Sequence, residues 1–412
     1  MTKFKNSRQS ELEKAGRDYL EVKKGIPCGT NTDRILLQQN NKNRILTALN
    51  ATEDNWNDWI WQMQYRIISG EQLAMLLPID RNRIKDIDTV TKKYRFAVSP
   101  YYLSLINPAD PYDIIARMIL PSSEELITDN GILDPSGEEL SNPAGAVIRR
   151  YPDRVIINIT NSCAAFCRHC QRRRAIGTID CKISANKLEE SLSYIRQHTE
   201  IRDVLITGGD ALCLSDSELD YVLGKLRKIN HVEIIRLGSR TLVNLPQRIT
   251  ADLINVLKKY SPIYLNTQFN HPIELTPCSR NAIKKLVDNG IILGNQMVLL
   301  KGINDNKFIV RKLNEDLLYC RIRPYYIFHA KNVKGTTHFQ STIEKGVEII
   351  EYLRGNTSGL AIPLFIFSAP NGMGKIPISP NYIDKIDEDK IYLHTWENKK
   401  FIIDKTNYNV IK

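Results

Sequence analysis

No apolar run in the 412-residue sequence approaches the roughly 20 residues that a membrane-spanning helix needs. The opening Met1-Thr2-Lys3-Phe4-Lys5 is polar and lacks the apolar core of a secretory signal. A cytoplasmic protein with no membrane partner is therefore expected. Internal repeats and low-complexity segments are also missing. So is an excess of acid: 57 Lys and Arg face 46 Asp and Glu, a net charge of +11. A basic balance raises the question of nucleic acid. The basic residues are dispersed, however, and many sit beside acids, as in Glu344-Lys345, so no nucleic-acid partner is expected. The tight runs are Arg149-Arg150 and Arg172-Arg173-Arg174. Their simplest explanation is a bound small anion. Cysteine is scarce, with eight in all. Cys28, Cys181, Cys213, Cys278 and Cys320 are scattered and read as buried small hydrophobes of a reducing compartment.

The other three stand together as Cys163-x3-Cys167-x2-Cys170. Four N or S ligands complete a structural zinc site, and four cysteines usually hold a [4Fe–4S] cluster. Three thiols suggest a cluster with one iron left open. The rival reading, a zinc-dependent RNA-binding protein, would have to recruit His169 or a distant ligand.

Around this motif the chain changes texture. Residues 1–145 read as a helical region ending in a Pro-, Gly- and Ser-rich linker over 121–148. Asp54–Met63 carries three tryptophans at helical spacing, a packing face. From about 146 to 380, short apolar runs alternate with amphipathic helices. Strands are expected at 154–160, 202–207, 232–237, 262–268, 292–299 and 320–328. Helices are expected near 184–198, 215–229, 250–260, 277–289 and 305–318, with Ser184, Ser215 and Thr250 as N-caps. A helix at 341–354 and an apolar run at 361–368 follow. Six βα repeats imply a parallel α/β sheet with right-handed crossovers. Eight would close a barrel, so a partial, open, TIM-like (β/α)6 barrel is expected. Residues 381–412 read as a short β-leaning tail.

Two glycine-containing turns accompany the cysteines. Gly208-Gly209-Asp210 ends the second strand, and paired glycines admit close backbone approach. Ser368-Ala-Pro-Asn-Gly372-Met-Gly374-Lys375 is a glycine-containing loop with one lysine, not spaced as a Walker A loop.

The cysteine spacing after a first strand resembles the radical S-adenosylmethionine enzymes. The ordered motifs Trp56-Asn-Asp-Trp59, Ser99-Pro-Tyr-Tyr102-Leu, Arg149-Arg-Tyr-Pro-Asp-Arg154, Leu265-Asn-Thr-Gln268-Phe-Asn-His271-Pro, Gly294-Asn-Gln296 and Arg323-Pro-Tyr-Tyr326-Ile resemble the lysine 2,3-aminomutase family over roughly residues 53–385. The resemblance implies three cofactors. A [4Fe–4S] cluster falls on Cys163, Cys167 and Cys170. S-adenosylmethionine falls on His169, Gly208, Gly209, Asp210, Ser239 and Arg240. Pyridoxal phosphate falls on Arg150, Tyr151, Arg154, Gln268, Gln296 and Lys375, with Lys375 forming the Schiff base. Asn371 and Met373 interrupt the family's glycine run, and Gln268 stands where the family usually has His. Arg172 falls where the family holds the substrate α-carboxylate. Lys331 and Ser368 occupy the positions of two aspartates that grip the distal ammonium of lysine. A distal ammonium 4 Å from a lysine would be repelled by roughly 4 kcal/mol at an effective dielectric near 20. The resemblance is thus closest to the glutamate 2,3-aminomutase branch, an isomerase interconverting L-glutamate and β-glutamate. Lysine, arginine or another amino acid is the alternative substrate. Asn306 stands at a partner position of the long enzymes' intersubunit zinc site, and no cysteine follows Cys320, so no zinc is expected. A homo-oligomer and a one-electron donor such as flavodoxin or ferredoxin complete the expectation.

Overall fold

The computed structural model describes residues 2–127 and 130–411. Its centre is one sheet. The strands are β1 (Val147–Tyr151), β2 (Arg154–Thr160), β3 (Asp203–Gly208), β4 (Ile234–Gly238), β5 (Ile263–Thr267), β6 (Ile292–Leu299), β7 (Ile322–His329), β8 (Leu364–Ser368) and β9 (Lys375–Ile378), hydrogen-bonded in that order. β2 to β8 are parallel. β1 and β9 run antiparallel at the two rims. β2 and β8 do not pair, so the barrel is open. The parallel strands number seven, one more than six repeats imply, because the run at 361–368 pairs with β7 through Tyr326↔Leu364.

Helices cross between the parallel strands, at Ala185–Gln197, Asp216–Arg227, Ala251–Lys259, Pro277–Asp288, Lys307–Tyr319 and Ile343–Asn356. Ser184, Ser215 and Thr250 cap three of them through side-chain oxygens. Asn306 caps another by accepting from Phe308 and Ile309. Along each strand, side chains alternate between two environments. Val204, Ile206, Ile235, Leu237, Met297, Leu299 and Ile327 are buried against the helices. Asp203, Leu205, Thr207, Arg236, Gly238, Gln296, Val298, Tyr326 and Phe328 line a cavity on the other face. The period-two pattern therefore builds the core and the site at once.

The N-terminal helices run from Thr2–Lys24 to Glu124–Ile127. A single hydrophobic cluster extends from Ile45 in these helices to Phe365 in β8. The tryptophan segment is two helices rather than one, because Asp58 ends the first and caps the second. Trp56 and Trp61 join the core, while Trp59 lies 4.5 Å under the Arg248 guanidinium. Beyond β9, β10 (Ile383–Ile386), β11 (Lys390–His394), β12 (Lys400–Asp404) and β13 (Val410–Ile411) form a separate antiparallel sheet.

The stretch at 121–148 is not a passive linker. Its acids meet the arginine run one by one: Arg172 with Glu138, Arg173 with Glu125, Arg174 with Asp134 and Glu139. The arginines read as an anion site are therefore paired within the chain. Glu125 is fully buried and takes Arg168 Nε at 2.9 Å as well as Arg173. Burial alone would raise its pKa; the guanidiniums of Arg168 and Arg173 overcome that and hold the carboxyl below its ordinary range. Removing one partner of such a buried set leaves charges unpaired. Glu125→Ala is expected to destabilise the fold by about 3–5 kcal/mol, as measured by chemical denaturation.

Candidate active site

The C-terminal ends of the parallel strands face the cavity, of about 510 Å³, a volume typical of ligand sites. All the residues singled out from the sequence line it. These are Arg150, Tyr151, Arg154, Cys163, Cys167, His169, Cys170, Arg172, Gly208, Gly209, Asp210, Ser239, Arg240, Gln268, Gln296, Lys331, Ser368 and Lys375. A second cavity, of about 640 Å³, shares the three cysteines, Arg172, Gly208 and Gly209. The cysteine loop is thus a wall between two spaces.

That loop leaves β2 and is held on both sides. Phe166 N donates to Ala97 O and Arg168 N to Met118 O, both at 2.9 Å. Burial and neighbouring thiols push the Cys163 and Cys170 thiols up, Cys170 to about 11. Free thiolates would repel here, and a cationic metal group would relieve them. Among the described residues, no three His, Cys, Asp or Glu side chains gather tightly enough for a single metal ion. Three thiols on one short loop, all lining both cavities, suit a multi-iron cluster. Arg240 donates to Cys167 Sγ at 2.8 Å. Of the five scattered cysteines expected to be buried, Cys28 is, while Cys213, Cys278 and Cys320 are only half-buried. Cys181 is exposed, and Cys213 lies close enough to Cys163 to act on its thiol.

Opposite the cysteines, the glycine pair touches the same loop. Gly209 N donates to Thr160 O. A Cβ on Gly208 (φ +129°) would overlap that carbonyl, and one on Gly209 would overlap the carbonyl of Ser162. Only glycine lets the two loops close this tightly. Asp210 caps the turn beyond, accepting from Leu212 N at 3.0 Å and Arg240 N at 2.6 Å. Nearby, Asn266 Nδ2 and Thr267 Oγ1 are buried at the cavity wall without a hydrogen-bond partner. His169 Nδ1 has none either, and His169 Nε2 meets Gln268 Nε2 at 3.1 Å. Partnerless polar atoms beside the cysteines fit a polar ligand.

The opposite wall is cationic and aromatic. Arg154 stacks 3.9 Å over the Tyr151 ring. Lys375 follows Gly372 and Gly374, both at positive φ, and pairs in register with Ser368. Its ammonium lies 4.5 Å from the Tyr326 ring centre and 5.3 Å from that of Phe328. The side chain is open to the cavity but deep within it. That desolvation, then Arg236, Arg154 and Arg150, lower its pKa to about 8. At the third corner Arg172 and Arg150 both bond Glu138, and Lys331 donates to Ser136 Oγ. Burial, then Arg150 and Arg172, bring Lys331 down to about 7, against an opposing pull from Glu138. His329 bonds the Ser341 carbonyl at 2.8 Å, a structural role.

Comparison with known proteins settles the family. Residues 157–310 match the radical SAM superfamily and residues 350–404 match the family described as lysine-2,3-aminomutase. The glutamate 2,3-aminomutase of Clostridioides difficile (strain 630) is 48% identical over 398 residues, 97% of this chain and 94% of that protein. The chain belongs to the lysine 2,3-aminomutase family. The L-lysine 2,3-aminomutase of Clostridium subterminale is 45% identical over 348 residues, covering 84% of each chain. That of Bacillus subtilis (strain 168) is 42% identical over 346 residues, 84% of this chain and 74% of that one. The protein is therefore a radical S-adenosylmethionine aminomutase, an isomerase. Its superfamily uses a [4Fe–4S] cluster and S-adenosylmethionine. The described residues contain no helix long and apolar enough to cross a membrane.

The sequence reading missed the acids that organise the corner: Glu138, Glu125 and, by the β3–β4 rim, Asp203, which takes Arg236 Nε at 2.7 Å. The only signal was complementary: a run of arginines with no acid beside it implies acids elsewhere.

Proposed function

We propose that this aminomutase interconverts L-glutamate and β-glutamate with pyridoxal phosphate as its third cofactor. The observation that carries the substrate is Lys331 on the cavity wall beside Arg150 and Arg172, with no free carboxylate among the described lining residues. Its lining acids are Asp203 and Asp210. The first is paired with Arg236 and the second is buried in a turn. A distal ammonium finds no free carboxylate among the described lining residues; a distal carboxylate finds Lys331, and Ser368 lines the same cavity.

The cysteines fit the cluster, and Gly208, Gly209, Ser239 and Arg240 fit S-adenosylmethionine beside it. Arg150, Arg154 and Gln296 fit a phosphate, with Tyr151 and Tyr326 near a ring and Lys375 as the amine. These groups, when bound, supply radical hydrogen transfer and delocalisation over a pyridine ring. The chain's own contribution is position and dryness. Arg172 offers a guanidinium edge to the α-carboxylate. Lys331 fixes the distal end, so the substrate is held at both ends and its β-carbon is presented in one orientation. Val298, Phe328, Leu205 and Ile156 wall the cavity with apolar surface and exclude water from a reactive centre. Lys375, with a pKa near 8, keeps an appreciable unprotonated fraction at neutral pH, as a nucleophilic amine requires. A one-electron donor such as flavodoxin or ferredoxin completes the system.

The test is turnover by the reconstituted enzyme of single amino acids, with products resolved by NMR. β-Glutamate should form from L-glutamate; faster turnover of L-lysine would sink the proposal. A pH dependence accompanies it. Lys331 is charged below about pH 7 and neutral above it in the free enzyme, and the distal carboxylate needs the charged form. Binding above pH 7 must therefore take up a proton. The kcat/KM for glutamate is expected to fall about tenfold per pH unit on this limb. Lys331→Met should flatten that limb.

A further inference from the structure

Among the described residues, Glu138 is the carboxylate that contacts both arginines of the substrate corner, Arg150 and Arg172. It is 6% exposed. Arg172 donates to it from Nε, at 3.0 Å to Oε1 and 3.1 Å to Oε2, and Arg172 Nη2 lies 3.0 Å from Oε1. Arg150 Nη2 reaches Oε1 at 3.1 Å. The grip on Arg172 is therefore side-on. A guanidinium has a side edge, formed by Nε and one Nη, and an end edge formed by both Nη atoms. Glu138 occupies the side edge and leaves the end edge free for a second carboxylate.

Glu138 is also tied to the loop that precedes Lys375. Two residues upstream, Ser136 accepts from Lys331. Between them Gly137, at φ +58°, lies so close to the Asn371 backbone that a Cβ would come within 3.0 Å of Asn371 C. On the other side Gly372 sits against Ser141 and Ser136 O. Residues 136–141 thus form a bracket between the carboxylate-binding corner and the lysine-bearing loop. The bracket places an anion among Arg172, Arg150 and Lys331, which would otherwise face one another with no other anion in contact among the described residues.

We infer that Glu138 is a positioning residue for substrate recognition: by holding Arg172 side-on it aims the guanidinium's end edge at the substrate α-carboxylate. Ser136 and Glu138 together keep Lys331 and Arg172 at a fixed spacing, so that one bracket sets the length of dicarboxylate accepted. The inference rests on the assignment of Arg172 to the α-carboxylate.

Glu138→Gln keeps size and an acceptor oxygen but loses the charge. In the reconstituted holoenzyme it is expected to raise KM for the amino acid that wild type uses by roughly tenfold, with kcat falling less than threefold. Calorimetric binding of glutarate, a dicarboxylate with no amino group, should weaken by a similar factor. Loss of the anion beside Lys331 should also move the alkaline limb of kcat/KM to lower pH, since Glu138 is the group that opposes Arg150, Arg172 and Lys375 there. The limb reports the charge beside Lys331, whereas the positioning role is read from the rise in KM with kcat nearly kept and from the weaker glutarate binding. Glu138→Asp should recover part of the loss in KM. The Arg172→Ala variant separates the two readings. If it raises KM strongly while Glu138→Gln changes neither KM nor glutarate affinity, the positioning role is wrong and the Arg172 assignment stands. If Arg172→Ala leaves KM unchanged, both fall. A lower KM in Glu138→Gln would make Glu138 a competitor of the substrate and overturn the inference.

Discussion

Lys375→Ala is expected to abolish isomerisation, by at least roughly a thousandfold, and to remove the visible absorbance of enzyme-bound pyridoxal phosphate. The cluster and its spectrum should survive, because Lys375 lies across the cavity from the cysteines. Two amines line the cavity, and desolvation with neighbouring arginines lowers both, Lys331 to about 7 and Lys375 to about 8. By acidity alone Lys331 would be the better nucleophile. Geometry decides otherwise. Lys331 is committed to Ser136 and held among Arg150 and Arg172. Lys375 makes no side-chain ion pair among the described residues; it lies over Tyr326 and Phe328, with Arg236, Arg154 and Arg150 close enough to lower its pKa. On the proposed assignment, a planar cofactor held by Arg150 and Arg154 would meet aromatic surface and Lys375 together. Borohydride reduction followed by peptide mapping should place the pyridoxyl mass on the peptide containing Lys375. Label on Lys331 would reverse the two roles.

The parts legible in the sequence are those that repeat locally. Strands β2 to β7 and their helices announce themselves by period and by caps such as Ser184 and Ser215, because alternation and capping act between residues a few positions apart. The cysteine loop is legible for the same reason: its three ligands lie within eight residues. The acidic stretch at 121–148 was opaque because its roles depend on partners far along the chain. Glu138 and Arg172 are 34 residues apart, Glu125 and Arg173 are 48. Proline, glycine and serine made it read as a connector, and those residues do serve its turns. Gly137, though, is there to let the turn press against Asn371. The net charge of +11 misleads in the same way. It counts arginines without showing that Arg172, Arg173 and Arg174 are already answered inside the fold.

Half-buried among Arg150 and Arg172, Lys331 does not act on a distal ammonium as a fixed charge. A fixed positive charge would repel a distal ammonium by roughly 4 kcal/mol. A lysine that is half neutral near pH 7 can shed its proton, so that repulsion is largely avoided by deprotonation. Discrimination then rests on what each substrate gains. A distal carboxylate recruits the proton and gains an ion pair; a distal ammonium meets no free carboxylate among the described lining residues, since Asp203 and Asp210 are engaged. Lys331→Asp inverts this. A carboxylate would stand beside the substrate's own carboxylate in a dry site, and kcat/KM for glutamate is expected to fall roughly a hundredfold or more. Turnover of lysine should rise above the wild-type level, because the new carboxylate supplies the partner that the cavity lacks. Lys331→Met separates charge loss from charge reversal: glutamate use should fall, with no gain for lysine. Glutamate kinetics unchanged in both variants would mean that the distal group is read elsewhere on the wall.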